Sequence, residues 1–141
     1  MRRAVFVAGA LMAGAAAPQA VSVKGAWARA SLPGQDMAAV YVTLTSAADD
    51  TLTGVDAMEG TASLHRTVRA GAMERMEDVA SIPLPGGTPV ALAPGGAHIM
   101  LMLPEGHPLR EGGTVRLKFR FAHAAPEQVD VPVRPARATG P

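Results

Sequence analysis

The stretch TVRLKFRF, residues 114–121, decides the fold class because apolar and basic side chains alternate along it. Successive side chains of a β-strand point to opposite faces, so this alternation predicts a strand with one buried and one solvated face. The apolar members are Val115, Leu117, Phe119 and Phe121. The segment EQVDVPV, residues 127–133, alternates in the same way and predicts a second half-buried strand.

Similar short runs fill the chain after residue 20, and clusters of glycine and proline separate them. Examples are VSVKGAWARAS at 21–31, AAVYVTLTS at 38–46 and TASLHRTVR at 61–69. No segment after residue 20 shows a 3.6-residue apolar period over three turns. The pattern therefore predicts an all-β fold, either an antiparallel sandwich or a barrel.

Residues 1–20 have the composition of a secretory signal peptide. Arg2 and Arg3 form a charged start, a short apolar run covers residues 4–14, and small residues follow. We expect cleavage between residues 16 and 20. The predicted location is the periplasm, with no membrane span left once the leader is removed, because the apolar run is too short to cross a bilayer comfortably.

After the leader we expect one β-domain over residues 21–135 and a disordered tail over 136–141. Loss of Arg2 and Arg3 reduces the basic residues from 13 to 11 against 12 acidic residues, so the net charge changes from +1 to about −1. No positive field then remains to attract nucleic acid or an anionic membrane surface. We expect neither as a partner.

The sequence carries no signature of an enzyme. It has no G-x-S-x-G elbow, no P-loop and no H-E-x-x-H sequence, and with no cysteine it has no thiolate nucleophile. The adjacent Asp49 and Asp50 are interpreted as a turn pair rather than as an acid/base dyad. We therefore expect a protein without enzymatic activity.

The segment HIMLML, residues 98–103, places unusual residue types on one face of a predicted strand. Ile99, Leu101 and Leu103 fall on one face and supply core residues. The opposite face carries His98, Met100 and Met102. Since the core is already supplied by the first face, the second is a row of side chains able to donate to a soft metal ion.

A second group of donor side chains lies in the segment HRTVRAGAMERM, which contains His65, Met73 and Met76. Ten residues separate His65 from Met76, enough for a strand to turn through Ala-Gly-Ala and return beside itself. Imidazole and thioether together suit Cu(I), whereas Zn(II) takes thioethers poorly and Ca(II) and Mg(II) prefer oxygen donors. A blue-copper electron-transfer site would require a cysteine thiolate, which the chain lacks.

Spacing and residue type alone leave a metal-free interpretation open. Methionine commonly fills gaps in cores, and a histidine at a strand end is commonly a hydrogen-bonded surface residue. On that alternative the protein is a β-sandwich interaction module. It predicts that joint replacement of His98 and Met100 by alanine leaves function unchanged.

The spacing His65-x₁₀-Met76-x₂₁-His98-x-Met100 resembles the pattern of the PCuAC family, the periplasmic copper chaperones. Segments such as GAWARAS, AAVYVTLTS and LAPGGAHIMLML are also similar to that family, and the resemblance extends over about residues 22–133. It implies a cupredoxin-like β-barrel or sandwich that binds one Cu(I) ion. The implied ligands are His65, Met76, His98 and Met100, while Met73 and Met102 match no ligand.

The resemblance also implies a function in copper delivery by a monomer. The implied recipient is the binuclear copper site of cytochrome c oxidase subunit II, directly or together with a Sco-type thiol protein. A periplasmic storage or resistance binder would share the same site and stays open.

Two departures from the family pattern limit what is carried over. The hairpin reads Met73-Glu74-Arg75-Met76 instead of M-x-M, and the last residues lack the His- and Met-rich tail of some members. We therefore expect a Cu(I) site and no second site for Cu(II). Met37 and Met58 are expected in the core, as are the aromatic residues Trp27 and Tyr41.

Overall fold

The computed structural model describes residues 20–141, so the predicted signal peptide lies outside the described residues except for Ala20 and stays a prediction. Ten strands and no helix occur in this range. The strands are β1 (Val21–Arg29), β2 (Met37–Ser46), β3 (Asp50–Ala57), β4 (Thr61–Ala70), β5 (Met73–Val79), β6 (Ile82–Leu84), β7 (Val90–Leu92), β8 (His98–Met102), β9 (Thr114–Phe121) and β10 (Glu127–Arg134). Residues 20–141 contain no helix that is long and apolar enough to cross a membrane.

The strands form one continuous sheet in the order β5-β4-β8-β2-β1-β10-β9-β3-β6, with β7 paired to β2. Most neighbours are antiparallel, but β1 and β10 pair in parallel at Ala28 with Val133 and at Arg29 with Arg134. This short parallel pair joins the two halves of the sheet, which share a single apolar core. The prediction of an all-β barrel or sandwich is confirmed.

Strand β9 shows how the alternating sequence builds the core. Its four apolar side chains are buried and its basic ones are exposed, as the pattern TVRLKFRF predicts. The strand lies between β10 and β3, so its apolar face contributes Leu117 and Phe119 to the centre of the shared core. Burial of such large side chains is the main stabilising term for a chain without a disulfide.

The β4–β5 hairpin forms one edge of the sheet. Gly71 begins its two-residue turn with φ of +64°, a conformation that glycine adopts without the strain a β-carbon causes. The outermost strand, β5, carries charged residues on most of its positions. Charges on an edge strand oppose pairing with the edge of a second chain.

The last residues make specific contacts with the domain. The backbone N–H of Ala138 donates to the carbonyl of Pro135 at 2.9 Å. The Nε of Arg29 donates to the carbonyl of Ala138, also at 2.9 Å. The domain bounds of 21–135 and the disorder of 136–141 stay predictions, but these bonds hold residue 138 beside strand β1.

Candidate metal centre

The register of three central strands brings the predicted ligands to the outer face of the sheet. His65 on β4 is paired with His98 on β8, and Met100 lies between Ser63 on β4 and Ala39 on β2. The residues next to them along each strand point inward, and Leu64, Ile99 and Val40 are all buried in the core. Because strand faces alternate, His65, His98 and Met100 share the opposite face.

The two imidazoles lie side by side and are largely withdrawn from solvent. Their ring centroids are 5.7 Å apart, with an angle of 38° between the ring planes. His98 is only 3% exposed, and the side chain of His65 is 19% exposed. The two rings are therefore in contact with each other and shielded from water.

Hydrogen bonds fix one nitrogen of each ring as a donor. His65 Nε2 lies 2.7 Å from Asp78 Oδ1 and 2.9 Å from Ser63 Oγ. His98 Nδ1 lies 3.4 Å from the carbonyl oxygen of Gly96, a long contact. A carboxylate and a carbonyl can only accept, so these ring nitrogens carry the protons and the opposite nitrogens present lone pairs.

The opposite nitrogens, His65 Nδ1 and His98 Nε2, are buried and have no hydrogen-bond partner. Leaving a buried polar atom unpaired costs free energy, so such an atom needs an explanation. A neutral imidazole whose other nitrogen is tied to a carboxylate or carbonyl is the usual arrangement of a metal-binding histidine. The two orphaned lone pairs therefore fit a metal ion.

Burial also prepares His98 to act as a neutral ligand. Removal from water lowers the pKa of His98, the contact with the Gly96 carbonyl raises it, and the proximity of His65 lowers it. The net result is a pKa below the ordinary imidazole value of 6.5. At neutral pH the ring is uncharged and its lone pair is free.

The thioethers join this pair at a shallow cleft. Met76, His98 and Met100 line the same cleft, whose volume is about 400 Å³, and His65 lies beside His98. Met76 pairs with Thr67 at the register of the hairpin and is 60% exposed. The structure thus brings the four predicted residues to one region of the outer face, and their role as ligands stays a prediction.

Groups of three or more histidine, cysteine, aspartate or glutamate side chains able to hold a metal are absent from residues 20–141. Met73 and Met102, which match no ligand of the family pattern, are both exposed. Met73 belongs to the residue pair that closes the hairpin turn, and Met102 lies further along the face of Met100.

Residues 21–133 match the family described as "Putative lipoprotein LpqE-like". The chain is also 35% identical over 118 residues to "Putative lipoprotein Lxx21020" of Leifsonia xyli subsp. xyli (strain CTCB07), covering 81% of this chain and 69% of that protein. The chain belongs to the LpqE-like family. The match covers nearly all of the described residues.

Solved structures similar to this LpqE-like chain are PCuAC domains and a related copper protein. The copper-bound PCuAC domain from PmoF2 has a TM-score of 0.68 at 24% identity, covering 85% of this chain and 97% of that domain. The solution structure of CuI-DR1885 from Deinococcus radiodurans has a TM-score of 0.59 at 28% identity, covering 86% of this chain and 81% of that one. The similarity to the PmoF2 domain shows the fold. Both similarities agree with the resemblance to the PCuAC family that the sequence suggests.

Aromatic residues beside the histidines are an unexpected part of the LpqE-like site. The ring of Tyr41 lies 6.4 Å from that of His98 and 4.8 Å from that of Trp27, and the guanidinium of Arg29 stacks over both aromatic rings. Trp27 and Tyr41 are buried as predicted, yet they stand outside the main apolar cluster. The signal was present in AAVYVTLTS, because inward Val40 and Val42 place Tyr41 on the outer face.

Proposed function

We propose that the protein is a Cu(I) chaperone that binds one ion with His65, Met76, His98 and Met100. The observation that carries the proposal is the pair of buried, partnerless nitrogens, His65 Nδ1 and His98 Nε2, on adjacent strands. Met76 and Met100 line the cleft that His98 also lines. The similar solved structures of the copper-bound PCuAC domain from PmoF2 and of CuI-DR1885 support copper as the ion.

The donor set suits Cu(I) on chemical grounds. Cu(I) is a soft ion, and it accepts thioether and imidazole donors without a strong demand for geometry. All four proposed ligands are neutral, so no negative charge holds the ion and release needs no charge separation. The protein would act by ligand exchange and would catalyse no reaction.

Exposure of one ligand favours delivery over storage. Met76 is 60% exposed on the outermost strand, so a ligand of a recipient protein can approach it from solvent. An incoming thiolate or imidazole would displace this thioether first, because a neutral sulfur contributes least to charge stabilisation. A storage site would bury all its ligands, and a metal-free module would not leave two imidazole nitrogens unpaired.

The proposed setting is the periplasm, and the proposed recipient is a copper protein there. The signal-like residues 1–20 and the lipoprotein description of the family both support export. By resemblance to PCuAC proteins, we propose the binuclear copper site of cytochrome c oxidase subunit II as the recipient, directly or with a Sco-type thiol protein. We propose that the chaperone acts as a monomer.

Anaerobic competition titration with a Cu(I) chelator tests the site. We expect one tightly bound equivalent at pH 7.5 and a weaker affinity at pH 5, because protons and Cu(I) compete for the same imidazole nitrogens. For one imidazole of ordinary pKa, about 6.5, the loss over this range is roughly 30-fold. The lowered pKa of His98 keeps its nitrogen available further into acid, so its share of the loss is smaller. Equal affinities at the two pH values would rule out histidine ligation.

Replacing Asp78 with asparagine tests how His65 is oriented. The carboxylate accepts a hydrogen bond from His65 Nε2 and so leaves Nδ1 as the nitrogen able to bind a metal ion. Loss of such a supporting partner lowers metal affinity by about 10-fold or more. We expect the Asp78→Asn variant to show that loss in the same titration, with its melting temperature unchanged because the side chain is 84% exposed.

Asp130→Asn is the matched control for Asp78→Asn. Asp130 is also an exposed aspartate on a strand and pairs with Arg116 at 2.8 Å, on β9 and β10, which contribute none of the four proposed ligands. Its replacement should leave Cu(I) affinity unchanged. If Asp78→Asn behaved like this control, Ser63 alone would be sufficient to orient His65.

A further inference from the structure

The row of methionines on the outer face continues beyond the proposed Cu(I) site. Met102 follows Met100 by two residues on β8, so the two side chains share a face. Across the sheet, Met102 is paired in register with Met37 on β2. Three thioethers therefore lie on two adjacent strands, and one of them, Met100, also belongs to the proposed Cu(I) site.

Packing does not explain Met37 and Met102. They are 43% and 48% exposed, so the expectation that Met37 lies in the core is wrong, as it is for Met58 at 70%. The inward positions beside Met37 and Met102 are filled by Ala38 and Leu101, both buried. Because the core of both strands is complete without them, these thioethers are available to a ligand.

The three methionines can reach one point. Cβ atoms of a directly opposed pair are about 4.5–5.5 Å apart, and diagonal neighbours on the same face are about 7–8 Å apart. Methionine has three rotatable bonds beyond its backbone, which allows sulfur atoms at these spacings to converge. Met37, Met100 and Met102 line one cleft of about 600 Å³, with Leu32 and Ala39 among its apolar walls.

We propose that Met37 and Met102 form a second, weaker site for Cu(I), with Met100 as a ligand shared with the first site. The inference rests on the proposed function, since it assigns this site to the same cargo. Thioethers alone select a soft monovalent ion and bind Zn(II) and Cu(II) poorly. An ion held by Met37 and Met102 can pass to Met100, and then to His98, without leaving the surface of the protein.

Titration with Ag(I), a redox-inert soft ion, of the protein labelled at its methionine methyl groups tests the inference by NMR. We expect the first equivalent to shift the methyl signals of Met76 and Met100, and further Ag(I) to shift those of Met37 and Met102. Methyl signals of Met37 and Met102 that stay unmoved when Ag(I) is in excess would overturn the second site. An equal response from Met58 would also overturn it, since binding would then be a property of any exposed thioether.

A double variant, Met37→Leu with Met102→Leu, gives an independent readout. Both side chains are exposed and leucine is close to methionine in volume, so we expect a folded protein. It should lose the second equivalent of Ag(I) and keep the affinity for the first, whereas Met58→Leu should keep both. Unchanged capacity in the double variant contradicts the proposal.

The two proposals fail in different ways. If Ag(I) shifts Met37, Met100 and Met102 and leaves Met76 unmoved, the proposed chaperone site is wrong and the thioether site stands. If only Met76 and Met100 respond, the chaperone site stands and the second site is wrong. Repeating the titration with Cu(I) under anaerobic conditions checks that Ag(I) reports on the natural ion.

Discussion

Replacing His98 with alanine should lower the affinity for Cu(I) by about 100-fold or more, since even the loss of a partner of a metal ligand costs about 10–100-fold. The variant removes His98 Nε2, a buried nitrogen without a hydrogen-bond partner. It also removes the ring that connects His65 to the cleft of Met76 and Met100. Competition titration at pH 7.5 measures the loss, with a thermal melt to verify that the variant is folded.

Two further variants make the result with His98 interpretable. His107→Ala removes an exposed histidine from a turn, and its affinity for Cu(I) should equal that of the unchanged protein. Met100→Leu keeps the volume of the side chain and deletes only the thioether donor, so it should weaken binding without a packing defect. If His98→Ala and His107→Ala bound Cu(I) equally well, His98 would not be a ligand.

The fold could be predicted from the sequence because its strongest signals are local. The alternation in residues 114–121 depends only on the pleat of one strand, and the structure buries the predicted side chains. The parallel pairing of β1 with β10 could not be predicted, because it joins Ala28 to Val133 across the length of the chain. The core assignment of Met37 failed although the signal was local: its strand alternates, and inward Ala38 and Val40 place Met37 outside.

Only part of the candidate site could be predicted from the sequence. The pattern of HIMLML correctly predicted which residues share a face, and the family resemblance then selected four ligands from the donor-rich residues. The partner of His65 could not be found, because Asp78 lies opposite it only through the register of the β4–β5 hairpin, which the turn at Gly71 sets. The lack of hydrogen-bond partners at His65 Nδ1 and His98 Nε2 likewise depends on packing, so no sequence pattern predicts it.

Replacing a buried aspartate outside the candidate metal centre should strongly destabilise the fold. Asp50 begins strand β3, and its carboxylate accepts backbone N–H bonds from Thr51 at 2.7 Å, His123 at 3.0 Å and Ala124 at 2.8 Å. Asp50→Ala leaves three donors without their charged acceptor, which should cost about 3 kcal/mol. For a domain of this size that corresponds to a melting temperature lower by about 12 °C, measurable by calorimetry.

The neighbouring aspartate is the control for Asp50→Ala. Asp49 is exposed and accepts one backbone bond, from Gly86 at 2.7 Å, so Asp49→Ala should cost about 1 kcal/mol or less. Equal losses from the two variants would show that the network around the buried carboxylate adds nothing. These bonds also agree with the interpretation of Asp49 and Asp50 as structural residues, since both carboxylates are used by nearby backbone N–H groups.

The dependence on pH separates the charge of Asp50 from its packing. Burial raises the pKa of Asp50, but the backbone bonds from Thr51, Ala124 and His123 and the charge of the His123 ring lower it, and the net pKa lies below the ordinary 3.8. A folded-state pKa below the unfolded value stabilises the protein fully above about pH 3.8 and loses this contribution as the pH falls through the folded-state pKa. The difference in unfolding free energy between the unchanged protein and Asp50→Ala should therefore be constant from pH 7 to about 5 and shrink in stronger acid. If the difference in unfolding free energy stayed the same down to the lowest pH at which the protein is folded, the charge of Asp50 would contribute nothing. Asp50 would then stabilise the start of β3 by packing alone.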